Sequence, residues 1–240
     1  MKIDAKVATR FVLLMGIVNL FVDMTYEGAR GVTGAFFGHL GARALAVGAV
    51  AGGGEFAGYA IRSVAGAIAD RTGRYWIEAW VGYAINLLCV PALAFAGSWP
   101  AAAGLMIGER LGRGIRRPVI SAAIAQAGRT IGGGRAFGLN EALDQVGATM
   151  GPLIVAFAVA RGGYSIGFGI LIVPLVLALS ALAVAATAGR SNPHLHGGIV
   201  GTRGCRAIFS NSDLGSLLRY SSNFCQQLAN ATRRPLAVPT

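Results

Sequence analysis

Six long apolar runs, separated by short polar breaks rich in glycine, set the pattern of this chain. They cover roughly residues 11–38, 44–69, 76–96, 100–123, 137–160 and 164–188. A bilayer core needs about 20 mostly apolar residues per helix. The pattern therefore predicts an all-α, polytopic membrane protein with six transmembrane helices. After Gly189 the pattern stops. Residues 190–240 are rich in Ser, Asn, Arg and Gly and hold no run long enough to span, so they read as a polar, poorly ordered cytoplasmic tail. Two units follow, a bundle over 1–189 and a tail over 190–240.

Composition strengthens the membrane reading. The chain of 240 residues is 54% hydrophobic and 13% charged, against roughly 25% charge in a soluble domain. Its net charge is +11. The basic residues sit between apolar runs and lack interleaved aromatic side chains, which argues against nucleic acid and for loops at an anionic inner leaflet. Cytoplasmic loops collect Lys and Arg. With the N-terminus inside, the inner segments hold Lys2, Lys6, Arg10, Arg71, Arg74, Arg116, Arg117, Arg129, Arg135 and Arg190, while the outer loops keep only Arg43 and Arg161. Both termini are thus expected in the cytoplasm of a multi-pass cell-membrane protein, with the first apolar run a retained helix rather than a signal peptide.

Chemistry of the enzymatic kind is not expected. Cys89, Cys205 and Cys225 have no paired spacing, and His194 and His196 fall in the tail. No metal site, no cofactor and no catalytic constellation is predicted.

Charges within the apolar runs are the informative residues, because each costs about 2.5–3.5 kcal/mol to insert at a helix centre. Asp23, Glu27 and Arg30 share one face of the first helix, and Glu55, Tyr59 and Arg62 repeat the spacing on the second. Counting depth at 1.5 Å per residue along antiparallel helices predicts crossed pairs, Arg30 with Glu55 and Arg62 with Asp23. Glu27 is left without an assigned partner, as a proton-coupling carboxylate would be; a single static salt-bridge network is the alternative. The fourth helix carries Glu109, Arg110, Arg113, Arg116 and Arg117. Arg116 and Arg117 are expected to snorkel at the inner interface, leaving Arg110 as the deeper, functional charge. Glu141 and Asp144 open the fifth helix and read either as a gate against those arginines or as loop stabilisation. Gly147, Gly151 and Pro152 read as a pivot or as a tight packing seam.

Gly66, Asp70, Arg71, Gly73 and Arg74, in the pattern G-x-x-x-D-R-x-G-R after the second run, resemble the signature loop of the major facilitator superfamily. Arg110-Leu111-Gly112-Arg113-Gly114 resembles the family's fourth-helix arginine motif, with Arg113 where glutamine is common. Gly147 to Pro152 resembles the fifth-helix glycine-proline motif of exporters, without the glycine pair that often follows. The resemblance covers about residues 8–189. It implies one six-helix half of a secondary transporter that works by alternating access, exporting a small organic solute or drug in exchange for protons. Asp70 and Arg74 would hold the inner gate, Arg110 would join proton coupling, and Gly147, Gly151 and Pro152 would shape the fifth helix for rocking. In the family a linker and six more helices follow where this resemblance stops. A truncated or frameshifted product, or a half that joins a second bundle or another copy of itself, is therefore expected. The competing expectation is a degenerate half without transport of its own, acting as a membrane interaction partner.

Overall fold

In the computed structural model the described residues are 5–190; the tail expected beyond them lies outside this range. All regular structure among these residues is helical. In chain order the helices are α1 (Ala5–His39), α2 (Ala44–Thr72), α3 (Tyr75–Ala92) with a short 3-10 turn at Leu93–Phe95, α4 (Trp99–Ile131), α5 (Gly133–Gly169) and α6 (Ile172–Arg190).

The local chemistry explains the boundaries. Gly73 ends α2 in the left-handed region, at φ 65°, with its N–H donating to the Ala69 carbonyl at 2.8 Å. Only glycine adopts that conformation without a steric penalty. Pro100 sits in the first turn of α4, where a missing N–H costs nothing. The last apolar run differs in detail from the expectation: the chain leaves helical geometry at Gly162 and Gly163, helix resumes over residues 164–169, and after a short turn α6 runs from Ile172. α5 runs on through Pro152, and the non-helical dihedrals inside it are those of Gly162 and Gly163. The helix bends where two glycines remove the steric barrier, and Pro152 serves the packing seam instead.

Four stretches among the described residues are long and apolar enough to cross a membrane, namely 5–39, 44–69, 75–95 and 133–187. The last is 55 residues long, which at 1.5 Å per residue exceeds one crossing and contains the break at Gly162–Gly163. α4 has the length but not the composition. Five charged residues, from Glu109 to Arg117, interrupt its apolar run.

α4 is the hub. It packs against α2 on one side and α3 on another, and it also meets α1 and α5, whereas α1 packs chiefly on α5 and α6 and barely touches α2. The core is filled by Phe11, Val12, Met15, Val18 and Val22 of α1 with Tyr83, Leu87 and Val90 of α3 and Phe168 near the α5–α6 turn. Outward-facing apolar side chains such as Leu45, Phe56, Leu88, Leu153 and Val173 are exposed, as expected of surfaces that meet lipid. Lipid gives apolar helix faces no reason to associate, so close backbone approach has to do it. Glycine supplies that approach at three seams. A Cβ on Gly28 would lie 3.1 Å from the Gly151 carbonyl oxygen, joining α1 to α5. One on Gly82 would lie 2.7 Å from the Arg116 nitrogen, joining α3 to α4. One on Gly58 would lie 3.1 Å from the Arg110 carbonyl oxygen, joining α2 to α4.

Candidate functional site

The glycine seams hold α4 so close to its neighbours that its charged side chains have nowhere to go but between helices. They form two clusters.

The first cluster joins α1, α2 and α4. Glu55 of α2 accepts an ion pair from Arg110, and the same oxygen lies 3.8 Å from Arg113 Nη2 and 3.9 Å from Arg30 Nη2. Glu109 stands behind the two α4 arginines, with Arg110 Nε at 3.3 Å and Arg113 Nε at 3.4 Å. Asn86 of α3 fixes Glu109, its amide donating to the side chain at 2.9 Å and to the backbone carbonyl at 3.1 Å. Glu27 and Arg30 are paired along α1 at 3.3 Å. The Arg113 guanidinium lies over the Tyr26 ring, 4.6 Å from its centroid, a favourable cation–π contact.

The second cluster lies one turn away along α1 and joins it to α3, α4 and α5. Asn19 is its centre: it accepts from the Tyr83 hydroxyl at 3.1 Å and from Arg116 Nη1 at 3.5 Å, and donates to Asn140 at 2.9 Å. Asn140 donates onward to Asp144 at 3.2 Å. Arg116 Nη2 lies 3.8 Å from Asp23 Oδ1, and its guanidinium stacks 5.0 Å from the Tyr83 centroid.

Of the sequence-derived pairs, Arg30–Glu55 is present. Arg62–Asp23 is not, and the reason is topological: α2 packs on α4, not α1, so Asp23 pairs with Arg116 instead. Glu27 is not unpartnered but faces Arg30. Arg116 does not snorkel to an interface; its side chain is 4% exposed and enclosed by aromatic and amide groups. Glu141 and Asp144 bond along their own helix, to Gln145 at 2.8 Å and Asn140, rather than to the α4 arginines. Gly66 lies against Pro118 of α4, and Arg71 and Arg74 are exposed at the α2–α3 turn. Asp70 belongs to the last turn of α2. The residues that sequence reasoning missed are Asn19, Asn86 and Asn140, with Tyr26 and Tyr83. A signal for them exists, since an amide inside an apolar run needs a partner as a charge does.

Two small cavities adjoin the first cluster. One, of about 20 Å³, is lined by Tyr26, Arg30, Thr33, Met106, Arg110 and Arg113 among others. The second, of about 40 Å³, opens between α2 and α4. A single water needs about 10–15 Å³ and a drug-sized ligand 300 Å³ or more, so each holds a few waters or one small functional group.

Over the described residues these features define an all-helical fold with several helices of membrane-spanning character and charged clusters between them. No family model matches the chain. An uncharacterized protein of Mycobacterium tuberculosis and one of Mycobacterium bovis are each 42% identical over 177 residues, which is 73% of this chain and 43% of each relative. An uncharacterized MFS-type transporter of Methanocaldococcus jannaschii is 27% identical over 166 residues, or 69% of this chain and 41% of that protein. The chain is thus distantly similar to one transporter of the major facilitator superfamily and spans less than half the length of the curated relatives it matches.

Proposed function

We propose that this chain forms one six-helix half of a major facilitator superfamily transporter, embedded in the cell membrane with both termini cytoplasmic, and that it moves a small organic solute by alternating access in exchange for protons. The observation that carries the reading is the first cluster, in which Glu27, Arg30, Glu55, Glu109, Arg110 and Arg113 meet within otherwise apolar helices. Such a concentration of charge is expensive in a bilayer and marks a solute or ion pathway. The distant similarity to the archaeal MFS-type transporter supports the same class.

In this reading α4 enters the membrane despite its charges because α1, α2 and α3 enclose them. Glu27 is the coupling carboxylate: its ion-pair partner among the described residues is Arg30, whose side chain is half exposed at 52%, so both can exchange partners when a second bundle rocks. The turn containing Gly66, Asp70, Arg71, Gly73 and Arg74 is the inner gate, and the Gly147–Gly151–Pro152 seam is the surface about which α1 and α5 move together.

The test is flux. Proteoliposomes containing the full chain, alone or with a second bundle, are given an acid interior and an internal pH dye, and organic solutes are added outside. Solute-dependent alkalinisation is the expected result, reduced about tenfold or more by Glu27→Gln, the scale of one lost charge-assisted interaction. Asp70→Asn is expected to slow turnover without removing coupling. Solute-dependent proton movement that is unchanged in Glu27→Gln removes Glu27 from the coupling role. Its absence with every partner removes the transporter reading and leaves a membrane interaction partner.

A further inference from the structure

The groove between α2 and α4 is unbalanced in charge. Arg62, Arg110, Arg113 and Arg117 line it against a single carboxylate, Glu55, with Gly58 and Gly114 also on its wall. We propose that this groove is an anion site that receives the carboxylate or phosphate head of the transported solute, with Glu55 holding the place that the ligand takes. The substrate-class half of this proposal rests on the transporter reading above; the anion site itself does not.

Three features argue for exchange rather than a fixed network. First, the arginines are built in and the carboxylate is not. Arg110 and Arg113 have side chains only 6% and 12% exposed and are braced by Glu109, which Asn86 holds in turn, whereas Glu55 is 38% exposed and reaches over from a different helix. Second, the arginines have donors to spare. Arg113 Nη2 is buried without a hydrogen bond, and its contact with Glu55 is a 3.8 Å ion pair. A guanidinium fork matches both oxygens of a carboxylate or phosphate, which the shared Glu55 oxygen leaves unused. Third, the space of about 40 Å³ suits one such group. The body of a larger solute would extend out of the groove past Tyr59, whose side chain is exposed. An excess of arginine charge in the groove disfavours organic cations, so the solute class is narrowed from any small organic molecule to organic anions.

An anionic lipid headgroup carries the same chemistry, and the experiment separates the two sources. The full chain is purified in neutral detergent, and its thermal unfolding midpoint is followed against benzoate, inorganic phosphate and, as a cationic control, tetraphenylphosphonium. Benzoate or phosphate is expected to raise the midpoint saturably and tetraphenylphosphonium to leave it unchanged. Glu55→Gln is expected to tighten anion binding about tenfold by removing the internal competitor, and Arg113→Gln to weaken it by a similar factor, each being one charge-assisted contact. If Glu55→Gln does not fold, Glu55→Asp shortens the competing arm and is expected to tighten binding in the same direction. In nanodiscs of phosphatidylcholine with or without phosphatidylglycerol, retained benzoate binding identifies a solute site. Stabilisation by phosphatidylglycerol that abolishes the benzoate response identifies a headgroup site and overturns the substrate assignment. Equal response to the cation, or no anion response in either the parent or the Glu55 variants, overturns the anion site. Binding is read without flux, so an anion site in a chain that transports nothing refutes only the transporter reading, and flux without anion binding refutes only the site.

Discussion

Asn19 carries more of the second cluster than any charged residue does. It is 5% exposed and serves Tyr83, Arg116 and Asn140 at once. Removing it strands three buried polar groups, each worth about 1–3 kcal/mol when left unsatisfied. Asn19→Ala is therefore expected to destabilise the protein by about 3 kcal/mol or more, and Tyr83→Phe by about 1 kcal/mol, since the latter removes donor and bond together and leaves Asn19 with two partners. Denaturant unfolding in mixed micelles measures both; equal losses would mean that Asn19 is not the hub. A second comparison tests the pairing that topology enforces. Asp23→Asn leaves the enclosed Arg116 without its counter-charge and is expected to cost about 3 kcal/mol, as breaking a buried pair does. Arg62→Gln, on the half-buried rim of the groove, is expected to cost well under 1 kcal/mol. A larger loss from Arg62→Gln would restore the crossed pairing that the helix arrangement excludes.

Between elements the energetics pass from side chains to backbones. The α1–α5 seam places Gly147 against the Leu20 carbonyl and Gly151 against the Met24 carbonyl, with no room for a methyl group at either position. Gly147→Ala is expected to force the helices apart and lower stability by roughly 1–3 kcal/mol, the usual cost of overpacking. Gly138→Ala on the same helix, where a Cβ meets open space, is expected to be neutral or to stabilise by up to about 1 kcal/mol, because alanine is the better helix former. A thermal shift assay on the two variants decides the matter, and similar midpoints would remove the seam. The same contrast explains what is legible in the sequence. The apolar runs and their breaks are visible because spanning length and glycine or proline punctuation are properties of one segment; they place α2 and α3 within a few residues of their observed limits, whereas α1, α4 and α5 extend six to nine residues beyond the runs at one end, where polar residues continue the helix. Which helix neighbours which is a property of pairs. Assuming that α1 and α2 pack together because they are consecutive gives Arg62–Asp23, and the same assumption hides Arg116, whose burial depends on Tyr83 and Asn19 arriving from other helices. Arg30–Glu55 is found although α1 and α2 barely touch, because both side chains meet, at 3.9 Å, beside the α4 arginines that share the same Glu55 oxygen.

At the scale of the whole molecule, the two clusters set most of their carboxylates against arginines between helices, yet one face remains costly in lipid. On α2, Phe56 is 76% exposed and Tyr59 is 65% exposed, beside Glu55, Arg62 and the mouth of the groove. Apolar exposure alone would suit lipid, as it does at Leu153, which is 63% exposed on α5. Charge beside it does not, because a lipid-facing ion keeps its insertion penalty of about 2.5–3.5 kcal/mol while one covered by protein or cavity water does not. The α2 face is thus the surface expected to meet a second bundle, and the α5 surface the one expected to meet acyl chains. Single cysteines at Tyr59 or Leu153, introduced after Cys89, Cys205 and Cys225 are replaced by alanine, distinguish them. In native membranes, oxidative cross-linking of Tyr59→Cys to a partner bundle or to another copy is expected to give a discrete higher-mass species, and Leu153→Cys to remain monomeric. Occupying the groove with benzoate is expected to change the Tyr59→Cys yield, because the groove opens on that face. Cross-linking that is equal at the two positions, or confined to Leu153→Cys, would place the partner on the other side of the bundle and separate the charged groove from any interface.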